Sequence, residues 1–267
     1  VDALTLNDIE TQAPATTVWG EPPRQLTLST NELHVWCADL WRNDLCIDEC
    51  MGVLSPDEKE RADRLVNPGA QRRFVAARYV LRDILARYQG TEPSGLRFVY
   101  GPYGKPALET WCGDAKLYFN VSHSRELALI ALTQSGEVGV DVESVRYDLA
   151  FRRLAKRYFS PLEIRALSQY ADHSLARAFF SCWTRKEACL KASGVGLKSM
   201  LHEFSVSVAP EGPATLRWVK DTSSILASWS LHSLIPGAGY VGAVAAPALS
   251  NGNIQCWRWS NASAWRS

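Results

Sequence analysis

The chain has 267 residues, 46% hydrophobic and 21% charged, with a formal charge of +1. These are the proportions of an ordinary soluble globular protein, long enough for one large domain or two smaller ones, and the near-neutral balance argues against a general nucleic-acid or acidic-membrane binder. No apolar run reaches the ~18 residues of a membrane span. The opening Val1-Asp2-Ala3-Leu4-Thr5-Leu6-Asn7-Asp8 lacks the basic and apolar regions of a signal peptide, so a cytoplasmic location is expected.

Residues 1–30, rich in Thr and Pro, read as an irregular arm. His34-Val35-Trp36-Cys37-Ala38-Asp39-Leu40 reads as a strand. Ser55-Pro56-Asp57-Glu58 starts a helix, with Ser as N-cap, Pro at the first helical position and Glu completing a capping box. A long helix follows around Arg72–Leu85. Its charges Arg72, Arg73, Arg78 and Arg82 read, as charge runs do, as a solvated face. Gly101-Pro102-Tyr103-Gly104-Lys105-Pro106 is a turn cluster that presents a lysine on a stiff loop. Phe119-Asn120-Val121-Ser122-His123-Ser124 reads as a short strand running into a polar turn, and Leu127–Leu132 as an apolar strand. After a second long helix around Phe179–Lys191, strands are expected at 203–208, 215–219, 225–232 and 240–245. The tail from Ser250, with Trp257, Trp259 and Trp265, shows no clear period. The seven cysteines include no Cys-x-x-Cys. Cys46 and Cys50 have metal-like spacing, but with no second pair to complete a site the thiols read as isolated and reduced.

The cap Ser160-Pro161-Leu162-Glu163 repeats the first one 105 positions later (160 − 55). Phe179 follows Phe74, and Leu190 follows Leu85, at the same offset of 105. The shared register predicts a duplicated unit. The expected organisation is an N-terminal arm (1–30), an N-terminal half (31–135), a C-terminal half (136–249) and a tail (250–267). The fold class is α+β, a pair of similar halves with strands in each half and helices packed on them.

Gly139-Val140-Asp141-Val142-Glu143 alternates as a half-buried strand, so Asp141 and Glu143 share the face opposite the valines. Two adjacent carboxylates repel by about 1 kcal/mol at 4 Å in water and about 4 kcal/mol at an effective dielectric of 20, and a fold that places them together supplies a cation. Hard oxygen ligands select Mg²⁺ or Ca²⁺ over zinc. The bland alternative is an acidic strand end that meets water. Under the shift Asp141 and Glu143 fall on Trp36 and Ala38, Glu187 on Arg82 and Lys191 on Ala86. The charged equipment thus lies in the second copy, and a single site between the halves is expected. Taken singly, Glu187 and Lys191 read as a surface i,i+4 ion pair, Lys105 as a solvated loop lysine and His123 as a structural histidine.

Taken together, Gly104-Lys105-Pro106, Phe119–Ser124, Gly139–Glu143 and Trp183-Thr184-x-Lys186-Glu187-Ala188-x-x-Lys191-x-x-Gly194-x-Gly196-Leu197 resemble, in this order, the Sfp-type 4′-phosphopantetheinyl transferases. The resemblance covers about residues 50–200. It implies a pseudo-dimer of two α+β halves with the active site at their junction, acting as a monomer. It also implies transfer of phosphopantetheine from coenzyme A to a serine of apo acyl, polyketide or peptidyl carrier proteins, with release of 3′,5′-ADP. The implied metal is Mg²⁺, with Mn²⁺ as a substitute, held by Asp141, Glu143 and Glu187. Lys191 and His123 would neutralise the pyrophosphate, while Lys105, Ser122 and Arg73 would grip the nucleotide end with its 3′-phosphate, and Arg61 is a further candidate for the same phosphate. Asp141, Glu187 and Lys191 form the implied catalytic set, with Glu187 as candidate base. Two rival classes are a non-catalytic coenzyme A or nucleotide-binding module and a Mg²⁺-dependent phosphohydrolase.

Overall fold

The computed structural model describes residues 17–111, 116–194, 201–219, 229–248 and 253–261. The N-terminal half runs β1 (Glu32–Asp39), α1 (Ile47–Val53), α2 (Pro56–Asp63), α3 (Pro68–Gln89), the hairpin β2 (Phe98–Tyr100) and β3 (Pro106–Leu108), then β4 (Tyr118–Ser124) and β5 (Leu127–Thr133). The C-terminal half repeats the order: β6 (Gly139–Ser144), α4 (Phe151–Tyr158), α5 (Pro161–Leu167), α6 (Asp172–Ser193), the hairpin β7 (Phe204–Val206) and β8 (Leu216–Val219), then β9 (Trp229–Leu234) and β10 (Tyr240–Pro247). β5 lies between β1 and β4, and β10 lies between β6 and β9, all antiparallel. The expected α+β pair of similar halves is present. The expected strand at 225–232 begins at Trp229, and its first four residues lie outside the described set.

Alternation along the strands decides what each face packs against. On β1, Trp36 and Ala38 face α3 and join Val80, Leu81, Ile84 and Leu85 in the first core. Leu33, Val35 and Cys37 face the other way and meet Val140, Val142, Leu234 and Val244 in a third core between the two sheets. The second core lies under α6, where Phe179, Phe180 and Cys182 pack on Leu231, Val241 and Ala243. The layers are therefore helix, sheet, sheet, helix, each sheet buried on both faces.

Both capping boxes form. The backbone N–H of Ser55 donates to Glu58 Oε2 (3.0 Å) and that of Ser160 to Glu163 Oε2 (2.8 Å). In each half this third-position glutamate also turns inward and binds a cation from the long helix. Glu58 pairs with Arg78 and Arg82, and Glu163 with Lys186 (2.7 Å). Arg78 and Arg82 are therefore buried, not on a wet face, because the cap glutamate needs a partner once it leaves water. α3 and α6 both end on a left-handed glycine, Gly90 (φ 61°) and Gly194 (φ 67°).

The segment after Ser250 contains a strand with no counterpart in the expected list, β11 (Asn253–Arg258), which pairs in parallel with the outer edge of β1. Trp19 and Gly20 lie against it, with Arg258 over the Trp19 ring and Gly20 bridged to Trp257. Helices α1 and α4, each ahead of a capped helix, were likewise not expected. Among the described residues, no helix is long and apolar enough to cross a membrane.

Candidate active site

The site grows from the seam where β4 of one half meets β6 of the other. Residues 120, 122 and 124 share one face of β4, and each reaches β6 through its side chain. Asn120 Oδ1 accepts from the N–H of Val140 (2.9 Å), and Ser122 Oγ donates to Asp141 Oδ1 (2.8 Å). Ser124 Oγ donates to Glu143 Oε2 (2.8 Å) and accepts from the N–H of Ser144 (3.1 Å). The alternate residues point to α3: Phe119 enters the first core, and His123 emerges beside the start of that helix. The two-residue period of this strand thus divides the work between holding the acids and facing the cleft.

Lys191, in the last turn of α6, closes the seam. Its Nζ donates to Asp141 Oδ1 (2.7 Å), Ser122 Oγ (2.8 Å) and the carbonyl of Val140 (3.2 Å), yet it keeps 28% of its surface. That reach depends on Gly139. A Cβ there would stand 2.1 Å from the carbonyl oxygen of Ala188 and 2.3 Å from the nitrogen of Ala192, so strand and helix touch backbone to backbone. Lys105 pins the same contact from the β2–β3 hairpin. Its Nζ donates to the carbonyls of Val138 (2.9 Å) and Lys191 (2.8 Å) and to Glu137 Oε2 (2.7 Å). At the carbonyl end of α6 this charge also suits the helix dipole.

A cleft of about 640 Å³ opens beyond His123, lined by Trp41, Arg73, Ser124, Arg125 and Glu126. Arg72 stacks on the Trp41 ring (5.2 Å) and Arg61 on Phe74 (5.3 Å). Desolvation by the cleft walls, then the charges of Lys191, Arg73 and Arg61, hold the His123 imidazole below its usual pKa. The ring still keeps exposed surface, so its environment is a concave, positively charged mouth rather than a sealed interior.

Burial, reinforced by the charge on Asp141, raises the pKa of Glu143, while the Ser124 hydrogen bond opposes the shift. Asp141 Oδ2 is buried and finds no hydrogen-bond donor among the described residues. Glu187 stands half-buried one turn before Lys191 on α6. Among the described residues no three Asp, Glu, His or Cys side chains are gathered into a ready-made metal group. The donors present are carboxylate and hydroxyl oxygens, and the acid with the free oxygen is buried. That chemistry fits a hard divalent cation.

The structure therefore joins Asp141, Ser122 and Lys191 directly, with Glu143 tied alongside through Ser124. It places His123 within electrostatic reach of Arg73 and Arg61. Lys105 is set apart, on the far side of the α6 terminus, beside a second cleft of about 400 Å³ that includes Tyr100, Tyr118 and Ser193. Sequence reasoning missed Asn120 and Ser124 as stitches, although their spacing from Ser122 on one strand face is the signal that marks them. Lys186, inside the longest motif, belongs to the buried scaffold: it binds Glu163 twice and the carbonyl of Phe204. The described cysteines are free thiols.

Two family models match the chain. One, described as the 4′-phosphopantetheinyl transferase superfamily, covers residues 137–245, and one described as 4′-phosphopantetheinyl transferase, N-terminal, covers 43–135. The chain is 38% identical over 227 residues to the 4′-phosphopantetheinyl transferase HetI of Nostoc sp., a match over 85% of this chain and 92% of HetI. It is 28% identical over 166 residues to the 4′-phosphopantetheinyl transferase Sfp of Bacillus subtilis, over 62% of this chain and 71% of Sfp.

Proposed function

The chain belongs to the 4′-phosphopantetheinyl transferase superfamily, and on that premise we propose that it moves phosphopantetheine from coenzyme A to a serine of an apo carrier protein. The products are the holo carrier and 3′,5′-ADP. The observation that carries this reading is the Ser122–Asp141–Lys191 cluster, in which a partly exposed ammonium and a buried acid with a free oxygen meet at the seam between the halves.

Asp141, Glu143 and Glu187 are the residues that would hold Mg²⁺, or Mn²⁺ in its place. When bound, the cation supplies charge neutralisation to the pyrophosphate. The chain's own groups do the rest. Lys191 can shift its donors from Asp141 and Ser122 to incoming phosphate oxygens without leaving the seam, because it is held from behind by the Val140 carbonyl. His123, Arg73 and Arg61 attract the nucleotide's anionic groups to the cleft. Lys105 holds the end of α6, and its neighbouring cleft is the second nucleotide contact. Glu187, at the edge of the α6 packed face, is placed to take the proton of the carrier serine as its oxygen attacks the β-phosphate.

For the carrier, α4 supplies a docking face. Arg152, Arg153, Lys156 and Arg157 are all exposed on this helix, which follows the acid strand after six residues. An acidic partner surface complements it. Acyl, polyketide and peptidyl carriers are all proposed substrates of a monomeric enzyme.

The test is the intact mass of an apo carrier after incubation with coenzyme A and Mg²⁺. Gain of one phosphopantetheine on the serine supports transfer. Release of free phosphopantetheine with an unchanged carrier means a phosphohydrolase, and intact coenzyme A means a binding module.

A further inference from the structure

Arg125 occupies the first position of the two-residue turn between β4 and β5, which the Ser124–Leu127 pairing defines. Its φ is 51°, and it is the non-glycine residue of positive φ among those described. Two-residue hairpin turns demand this conformation, and glycine, asparagine or aspartate adopts it at least cost; a long side chain is strained there by roughly 1–2 kcal/mol. The strain sits beside function. Ser124, the preceding residue, holds Glu143, and Arg125 lines the same cleft as Arg73 and His123.

Arg125 makes no hydrogen bond or ion pair with another described residue; its charge is felt weakly at the Tyr240 hydroxyl, with Glu126 beside it. An exposed arginine held at positive φ, with no partner among the described residues, on the wall of a cationic cleft is placed to meet a ligand. The cleft walls carry Arg73, His123 and Arg125 against the single acid Glu126, so that ligand is an anion. Resting on the transferase reading, we infer that Arg125 is a further binding residue for coenzyme A and contacts the 3′-phosphate of its ribose. Of the groups assigned to the pyrophosphate, Lys191 and Asp141 do not line this cleft, while His123, which feels the charge of Lys191, does. Arg73, assigned to the nucleotide end, lines it beside Arg125, so the phosphate that Arg125 meets is the 3′-phosphate.

The experiment compares coenzyme A with 3′-dephospho-coenzyme A as substrates of the full chain and its Arg125→Gly and Arg125→Asn variants, at saturating apo carrier. Both replacements suit the positive φ, so the turn is kept and thermal stability should equal or exceed that of the parent. One lost charged hydrogen bond should raise the KM for coenzyme A by roughly tenfold, with KM moving more than kcat. The KM for the dephospho substrate should change little, so the parent's preference for the 3′-phosphate shrinks in both variants. An unchanged KM for coenzyme A overturns the inference, and so does an equal rise for both nucleotides. In a second series, with carrier varied at saturating coenzyme A, a rise confined to the carrier's KM would overturn the inference and make Arg125 a carrier contact. Failure of the transferase reading shows separately, as absence of transfer by the parent chain with either nucleotide.

Discussion

Replacing Gly139 by alanine tests whether backbone contact between β6 and α6 sets the geometry of the site. The new Cβ would lie 2.1 Å from the Ala188 oxygen, 2.3 Å from the Ala192 nitrogen and 2.9 Å from the Lys191 carbonyl carbon. Carbon and its neighbours rest at about 3.5 Å, so α6 must retreat by about 1 Å. All the groups it meets are main chain, and none can rotate aside. Overpacking of this kind costs about 1–3 kcal/mol, which for a chain of this size lowers Tm by roughly 2–12 °C. The retreat also strains the Lys105 bonds, which span Val138 on the strand and Lys191 on the helix. Lys191 leaves its place against Asp141, and a 1 Å error in such a position costs about 10²-fold in rate. The assay pairs thermal unfolding with initial rates of carrier modification. Gly52→Ala, on α1 with nothing within 4 Å of its added Cβ, is the control and should keep the parental rate with a Tm equal to or slightly above the parent's. Parental Tm and rate in Gly139→Ala would refute the argument.

His34 is buried, hydrogen-bonded to the Tyr88 hydroxyl (2.8 Å), and burial, partly countered by Glu32, depresses its pKa to about 4. Because the unfolded chain takes up this proton first, stability is full above pH ~6.5 and should fall by up to ~3 kcal/mol as pH drops towards 4; denaturant titrations should find a flatter pH dependence in His34→Gln, and an unchanged one removes His34 as the cause. Lys186→Met strands Glu163 as a buried charge and should cost about 3–5 kcal/mol, while Lys186→Met with Glu163→Gln should recover part of it. Equal losses in the single and double variants would show that the pair is not coupled. Charge reversal on α4, Arg153→Glu with Lys156→Glu, should raise the carrier's KM and weaken its salt dependence while sparing the KM for coenzyme A. An unchanged carrier KM removes α4 from the docking face.

The parts legible in the sequence are those set by local rules. The two Ser-Pro caps fix where α2 and α5 start, and alternation places Asp141 and Glu143 on one face. What escaped depends on partners far along the chain. Arg82 looks like a solvent-facing charge, and Lys186 like one more member of the site motif, because helical periodicity says nothing about a cap glutamate turned inward 24 and 23 residues away. β11 carries no clean alternation because both its faces are covered: Trp257 joins the first core, and Ile254 and Cys256 pack on the third. Arg125 reads as one more polar turn residue, since only the backbone angle exposes its cost.

The same contacts explain why a duplicated fold carries one site. At the positions of Asp141 and Glu187 the first half has Trp36 and Arg82, and both are consumed internally. Trp36 Nε1 donates to the Tyr88 hydroxyl (3.1 Å), and Arg82 binds Glu58 and the carbonyls of Pro93 and Leu96. The edges differ too. β6 leaves its outer edge to side chains of β4, and that looser seam, bridged by hydroxyls and an amide, has room for an acid and a lysine. The matching edge of β1 is sealed by parallel pairing with β11, whose main chain satisfies the exposed donors and acceptors of an edge strand. A ligand entering between the halves thus meets polar side chains at one seam and a closed backbone ladder at the other, and only the first can change partners.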